Sequence, residues 1–390
     1  MPHMTVWMRM WRGGSSWWSE NYRIRTGKEE KMTDRELKLI EALSNAPAPS
    51  GFEEESIAAV RGALAGICDI AEDSLRNLYI TRRRNTGDKP LVMLDAHGDE
   101  VGFMIHSIRP EGTLRFVNLG GWNKATLPGT QVLVRNRTGQ WIPGVIAARP
   151  PHFMSAEEKA RQGVADYKDL VIDVGACSDR EAQEAFGIRI GEPAVPAARF
   201  SYDAARDVMH GKAFDCRIGC AALAEAMRRL AEEDLAVDVV GVISSQEEVG
   251  ERGCAVAAER VAPDIAIVFE GCPADDTFGE AYARQTLLKH GPMLRFMDVS
   301  VICNPRFQRF VLDLAETKGI PAQASVREGG GNNAAVIQRS LKGAPSVVMG
   351  IPVRYIHTPH CLTSGADYDA AADLAVETVK ALNAEIIRGF

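Results

Sequence analysis

The fold class that these 390 residues predict is α/β: a mostly parallel central sheet covered by helices on both faces, with a small β-barrel-like domain inserted. Three observations carry it. Past about residue 205 helical and strand patterns alternate, the signature of a layered sheet-and-helix domain. Those strands are apolar right through, as strands covered on both faces are. The strand at 90–97 shares that character, although a run of short strands with Gly, Pro and Asn turns separates it from the rest. The α/β domain is therefore read as 32–104 together with 199–390, and the β-rich insert as 105–198.

In chain order, residues 1–31 come first and differ from the remainder of the chain: they hold four of the six tryptophans and many basic residues. They lack the long apolar core of a secretory signal, and the expectation is a disordered extension. At "MTDRELKLIEAL" the chain begins to fold, because Thr33 and Glu36 have the spacing of a capping box ahead of an amphipathic helix. Helices are expected over 34–47 and 53–66, then strands at 77–83, 90–97 and 101–108. "TRRRN" at 81–85 reads as a solvated hairpin. The insert carries "TLRFVNL", "TQVLVRN", "WIPGVIAA" and "DLVIDVGA", interrupted by one helix near 179–186. Beyond it, helices at 217–232, 253–260, 305–318 and 332–341 alternate with "VDVVGVISS", "DIAIVFEG", "AQASV" and "PSVVMGI", and a last helix covers about 367–387.

Composition narrows the functional classes. With 46% hydrophobic and 25% charged residues the chain is ordinary for a soluble globular protein. A net charge of −7 gives no support to nucleic-acid binding. No apolar run approaches the roughly 18 residues of a membrane span. Eight scattered cysteines without CxxC pairs read as reduced thiols, so a cytoplasmic location is expected. Cys216 and Cys220 could share a helix face, and small buried side chains are the favoured reading over a ligand or redox pair.

Open α/β sheets gather their sites at the carboxyl ends of strands. After "LVMLDA" come His97 and Asp99, and after "VMHGKAF" comes Asp215. Glu247 and Glu248 follow "GVISSQ", Glu270 follows "IAIVF", and His357 follows "VVMGIPVRYI". Any one of these is unremarkable alone, since an acid after a strand is often a helix cap. Together, acids crowded without counter-charge repel and raise one another's pKa, and divalent cations resolve the repulsion. Mixed imidazole and carboxylate donors suit zinc, with cobalt and manganese as alternatives. A shared carboxylate can hold two such ions about 3.5–4 Å apart.

Spacing adds detail. Asp99 lies two residues past His97, so on an extended chain both face one way and the acid can hold the imidazole. Glu247 and Glu248, as neighbours, point apart: one can ligate a cation while the other handles a proton. Gly250 and Gly253 would allow a tight turn there.

The segments "APSGFEE" (48–54), "DAHGDEVGFM" (95–104), "NLGGW" (118–122), "GVIAARPPH" (144–152), "FDCRIGCA" (214–221), "SSQEEVGERG" (244–253) and "GIPVRYIHTP" (350–359) resemble, in order and spacing, the glutamyl aminopeptidase family of cocatalytic metallopeptidases, which includes the tetrahedral aminopeptidases. The resemblance covers about 32–390. It implies a peptide substrate cut at its N-terminus with two divalent cations. His97 would bind one cation, Asp215 would bridge both, and Glu248 and His357 would bind the second. Glu247 would be the general base and Asp99 would orient His97. Glu270 stands where the family usually has a cation-binding Asp. The insert would correspond to a dimerisation domain, with dimers able to build twelve-subunit hollow tetrahedra. Three positions depart from the pattern: Glu270 for Asp, Cys216 for an Asn beside Asp215, and "GGGNN" (329–333) for a Gly-Gly-Thr-Asp loop.

The runner-up enzyme is a hydrolase of non-peptide amides, such as N-acyl amino acids, at the same cation site. A non-catalytic oligomeric homologue is the alternative from another class. A carbohydrase is weaker, because adjacent acids rarely flank a sugar bond. Arg327, Arg354 and the 329–333 loop could shape a pocket for acidic side chains, or could be structural.

Overall fold

The computed structural model describes residues 32–156 and 166–390, so the Trp-rich extension lies outside the described residues. Helix α1 (Asp34–Asn45) starts at the expected capping box, with Thr33 and Glu36 exchanging side-chain and backbone bonds. Helix α2 (Glu54–Leu64) comes next, then β1 (Asp69–Glu72), β2 (Leu78–Thr81) and β3 (Leu91–His97). The barrel region supplies β4 (Gly102–Ile108), which straddles the boundary expected at 104/105, then β5 (Leu114–Leu119), β6 (Gln131–Arg135), β7 (Trp141–Ala147), β8 (Val171–Asp173), the short α3 (Asp179–Glu184) and β9 (Pro193–Pro196). Next come β10 (Ser201–Asp203), β11 (Val208–Gly211), α4 (Phe214–Leu230), β12 (Asp238–Ser244), α5 (Arg252–Val261) and β13 (Ile265–Pro273). The chain closes with β14 (Met293–Met297), α6 (Pro305–Lys318), β15 (Gln323–Val326), α7 (Ala334–Ile337), β16 (Ser346–Val353), β17 (Cys361–Thr363), α8 (Gly365–Ala381) and α9 (Ala384–Arg388).

The large sheet has the order β1-β2-β12-β3-β13-β16-β14-β15. Its four central strands are parallel, and antiparallel pairings occur towards either side. Successive side chains on these strands serve two cores, as a period of two requires. Val92 and Leu94, Ile265 and Ile267, and Val347 and Met349 pack under α1, α2, α4, α6 and α8. Met93, Val268 and Val348 face the opposite way, against Ala257 and Ala258 of α5 and Ala334 and Ile337 of α7. This double burial is why the strands carry no polar alternation. The six strands β4-β5-β8-β7-β6-β9 close into a barrel with its own core around Phe103, Leu114, Val134 and Ile172. No described helix is long and apolar enough to cross a membrane.

Several elements differ from their expected bounds. The helix expected over 332–341 shrinks to four residues: Asn332 and Asn333 reach Asp298 and Asp95 ahead of it, and beyond it the chain turns through a left-handed Leu341. The last helix breaks at Leu382, which is extended, and Asn383 caps a new turn. The "TRRRN" run is not a solvated hairpin throughout. Arg82 is buried and donates to Leu230 O at the end of α4, while Arg83 and Arg84 bind the carbonyls of Gly66 and Glu232. These carbonyls lie at helix ends and loops, and the guanidinium groups bind them there, Leu230 O accepting the Glu233 N–H as well.

Behind the site sits a buried charge cluster. Lys212 Nζ lies 2.7 Å from Glu100 Oε2, and Arg217 reaches the carbonyls of Leu43, Ala46 and Ala48. The Ala48 N–H also donates to Glu100, at 3.1 Å. These bonds fasten the loop between α1 and α2 beside Asp99.

Candidate functional site

Parallel strands end together, so the segments leaving their carboxyl ends share one crevice. His97 is the last residue of β3. Glu270 lies within β13, and the pairing of Val268 with Asp95 puts it level with His97 two residues on. His357 lies beyond β16 on a left-handed residue, φ 55°. Asp215 does not come from the large sheet. It arrives from β11 of a separate three-stranded sheet, at a non-helical step in the first turn of α4, where the Asp215–Cys216 peptide is cis.

The acidic pair also differs from its expected setting. β12 ends at Ser244, Gln246 is left-handed (φ 53°), and Glu247 and Glu248 sit in a turn rather than on extended chain. The Glu247 carbonyl accepts the N–H of Gly250 and of Glu251, and Gly250 takes φ 113°. A side chain other than hydrogen is strained at that angle. Gly253 has another reason: an added Cβ would meet Ser245 N at 2.6 Å, so it permits α5 to pack against this turn.

All seven expected residues lie in this one crevice. His97 Nε2 is 3.1 Å from Asp215 Oδ1, 3.2 Å from Glu270 Oε1 and 3.8 Å from Glu247 Oε2. His357 Nε2 is 3.2 Å from Asp215 Oδ2 and 3.5 Å from Glu248 Oε2. The two oxygens of Asp215 thus face different imidazoles. Three groupings put possible ligand atoms within 4.8 Å of one another: His97, Cys216 and Glu270; His97, Glu247 and Glu248; and Asp215, Glu248 and His357. His360 is exposed and lines a different hollow.

Asp99 organises the surroundings. Its Oδ1 lies 3.3 Å from His97 Nδ1, its Oδ2 accepts Ser50 Oγ–H at 2.6 Å, and it receives the backbone N–H of both Glu247 and Glu248. Glu53 accepts the N–H of Gly51 and of Gln246. Sequence reasoning misses both Ser50 and Glu53. Both fall in "APSGFEE", where a fully buried acid has no mark to distinguish it from helix-capping residues. From the barrel side, Gly120 (φ 78°) leaves room for the pair, since a Cβ there would sit 3.1 Å from Glu248 Oε2. The Asn123 N–H holds the carbonyl of His357.

Electrostatics reflect this crowding. Burial pushes Glu247 and Glu248 well above the carboxylate range, and neighbouring acids push further: Glu270 and Asp99 on the first, Asp215 and Glu247 on the second. Burial and the Asp215 charge raise Glu270 to about 7. Burial alone would raise Asp215 too, but the hydrogen bonds from His357 and His97 hold it low. Burial opposes a charged His97, yet the Glu247 charge and the bonds to Asp215 and Asp99 drive its pKa well up. Among the described residues, none of these carboxylates forms a Lys or Arg salt bridge. Glu248 Oε1 is buried without a hydrogen-bond partner. Buried anionic oxygens and imidazole nitrogens in this arrangement fit divalent cations of the zinc type.

The crevice opens into a cavity of about 600 Å³ lined by the acids, His357, Arg295, Arg327 and Gly329–Gly331. Its arginines are engaged. Arg295 pairs with Asp298 at 2.8 Å, and Arg327 lies 3.4 Å from Asp275. Arg354 is bound by Asp276 and does not line this cavity.

The M42 glutamyl aminopeptidase family model matches residues 77–374. The chain is 32% identical over 347 residues to the glutamyl aminopeptidase of Lactococcus lactis, covering 89% of this chain and 96% of the relative. It is 32% identical over 355 residues to the lysyl aminopeptidase of Pyrococcus furiosus, covering 88% and 96%. Among solved structures, the TET aminopeptidase of a marine sediment thaumarchaeon superposes with a TM-score of 0.87 at 37% identity, covering 92% of this chain and 99% of that one. The TET1 peptidase of Pyrococcus horikoshii, which can assemble into a tetrahedron or a large octahedral shell, gives 0.80 at 28% identity, covering 89% and 100%.

Proposed function

Because the chain belongs to the M42 glutamyl aminopeptidase family, we propose that it removes N-terminal residues from peptides with two divalent cations and Glu247 as general base. The observation that carries this reading is the two-sided Asp215: one oxygen faces His97 beside Glu270, the other faces His357 beside Glu248. Asp215 is the only one of these carboxylates whose two oxygens each face a different imidazole. His97, Asp215 and Glu270 would hold one cation, and Asp215, Glu248 and His357 the other. When bound, such a pair supplies positive charge that lowers the pKa of water and polarises the scissile carbonyl. Zinc suits the donors, with cobalt and manganese as alternatives.

Glu247 stays outside both ligand sets and is free to carry a proton. It accepts the proton of the attacking water at its carboxylate and returns it to the departing amine. Asp99 fixes the neighbouring parts, since it holds His97 on one side and both glutamate backbones on the other. The cavity walled by Gly329–Gly331 would take the N-terminal side chain.

The test is hydrolysis of aminoacyl arylamides beside N-acetyl amino acids, before and after chelation and refilling with zinc, cobalt or manganese. Cleavage of free-amino substrates, abolished by chelation and restored by a metal, is expected. Turnover of the N-acetyl series alone would move the reading to a deacylase, and full activity after verified metal removal would end it.

The barrel carrying Gly120 and Asn123 is read as the self-association module, with dimers as the unit and a dodecamer as the larger form. This rests on likeness to oligomeric relatives. A mass measurement in solution is expected to give an even multiple of the 42.5 kDa chain; a monomer at micromolar concentration would overturn it. A cytoplasmic location belongs to the same proposal.

A further inference from the structure

The two halves of the crevice are chemically unequal. On the His357 side the donors are one nitrogen and carboxylate oxygens, and the imidazole is partly exposed. On the His97 side a sulfur joins them. Cys216 is fully buried, His97 and Glu270 nearly so, and one ligand atom from each lies within 4.8 Å of the others. His97 Nε2 is already 3.1 Å from Asp215 Oδ1 and 3.2 Å from Glu270 Oε1. Two atoms that share a tetrahedral zinc at about 2.0–2.3 Å stand roughly 3.3–3.8 Å apart. These nitrogen–oxygen gaps are already close to that spacing, and the sulfur stands within 4.8 Å of a nitrogen of His97 and an oxygen of Glu270.

We propose that Cys216 is a thiolate ligand of the cation held by His97, Asp215 and Glu270. This inference rests on the two-cation reading above. The set then becomes one nitrogen, one sulfur and two oxygens, all donor types that zinc takes, and expansion to five-coordinate leaves a place for water or substrate. At present the thiol donates to the Phe269 carbonyl at 3.2 Å, a weak bond that ligation gives up. The thiol proton leaves to solvent as the sulfur–metal bond forms. Thiolate selects softer ions, so this half prefers zinc, cobalt or cadmium and outlasts the His357 half under chelation.

Cobalt(II) titration of the chelated full-length protein tests this, with bound metal counted per chain. A thiolate-to-cobalt charge-transfer band is expected with the first equivalent, absent in Cys216→Ser and retained in Glu248→Gln. Cobalt affinity at that half is expected to fall at least about 10–100-fold in Cys216→Ser. Zinc-edge X-ray absorption of the wild-type protein, which needs no variant, should show sulfur at about 2.3 Å. Two cobalts bound without the band, or a band that survives Cys216→Ser, or no sulfur around zinc, overturns the inference and leaves the aminopeptidase reading standing. A folded protein that binds no cobalt overturns both.

Discussion

Replacing Glu247 by Gln is expected to cut turnover by about 10²–10⁴-fold, the range for losing a positioned acid–base group, while the protein keeps both cations. The amide preserves the shape of the side chain. The backbone N–H still donates to Asp99, so the turn after β12 stays in place. No proposed ligand is replaced: Glu248 and not Glu247 faces His357, and His97, 3.8 Å from Glu247, keeps Asp215 and Glu270 at 3.1 and 3.2 Å. The variant loses only the ability to accept a proton and return it. Metal content by elemental analysis beside steady-state kinetics reads the outcome. Near-wild-type turnover would sink the role of Glu247, and loss of one cation would reassign it as a ligand.

The second large effect is at Asp215. Asp215→Asn is expected to weaken both cations together, by more than the roughly 10–100-fold that loss of a merely supporting group costs, and to abolish activity. An amide has one acceptor oxygen. It can satisfy either His97 or His357, whereas the carboxylate faces both, at 3.1 and 3.2 Å. Removing a bridge differs in kind from removing a terminal ligand, since Glu248→Gln should empty one half and spare the other. Retention of two cations per chain in the Asn variant, with turnover within tenfold of wild type, would show that Asp215 does not bridge.

How much of this is legible in the sequence depends on the distance over which each feature is decided. The parallel core strands are decided locally: "LVMLDA" and "IAIVF" have no polar alternation because both faces are covered, and α6 covers the expected 305–318. The seven candidate residues are legible because β3, β12, β13, β16 and the start of α4 impose a common location. Features set by remote partners are not. Asn332 and Asn333 look like ordinary helix-start residues until Asp298 and Asp95 are seen behind them. Arg82 looks like one of three surface cations until the end of α4 is placed over it. For the acidic pair the local pattern suggests extended chain. A left-handed Gln246 instead puts it in a turn whose two N–H groups converge on Asp99, a carboxylate 148 residues away in sequence from Glu247. Nothing within "SSQEE" encodes that acceptor.

The glycine wall of the cavity has an evolutionary consequence. Gly329 and Gly330 have open space where a Cβ would stand. A surface already stripped to backbone can be altered by single substitutions in one direction only: every replacement adds atoms and narrows the room for the incoming residue. The present chain is therefore at the permissive end of its own mutational neighbourhood at this wall. At Gly329 a single substitution would narrow the cavity; at Gly330, with φ 83°, it would also strain the backbone, so widening falls to the larger lining residues such as Arg327 and Glu328.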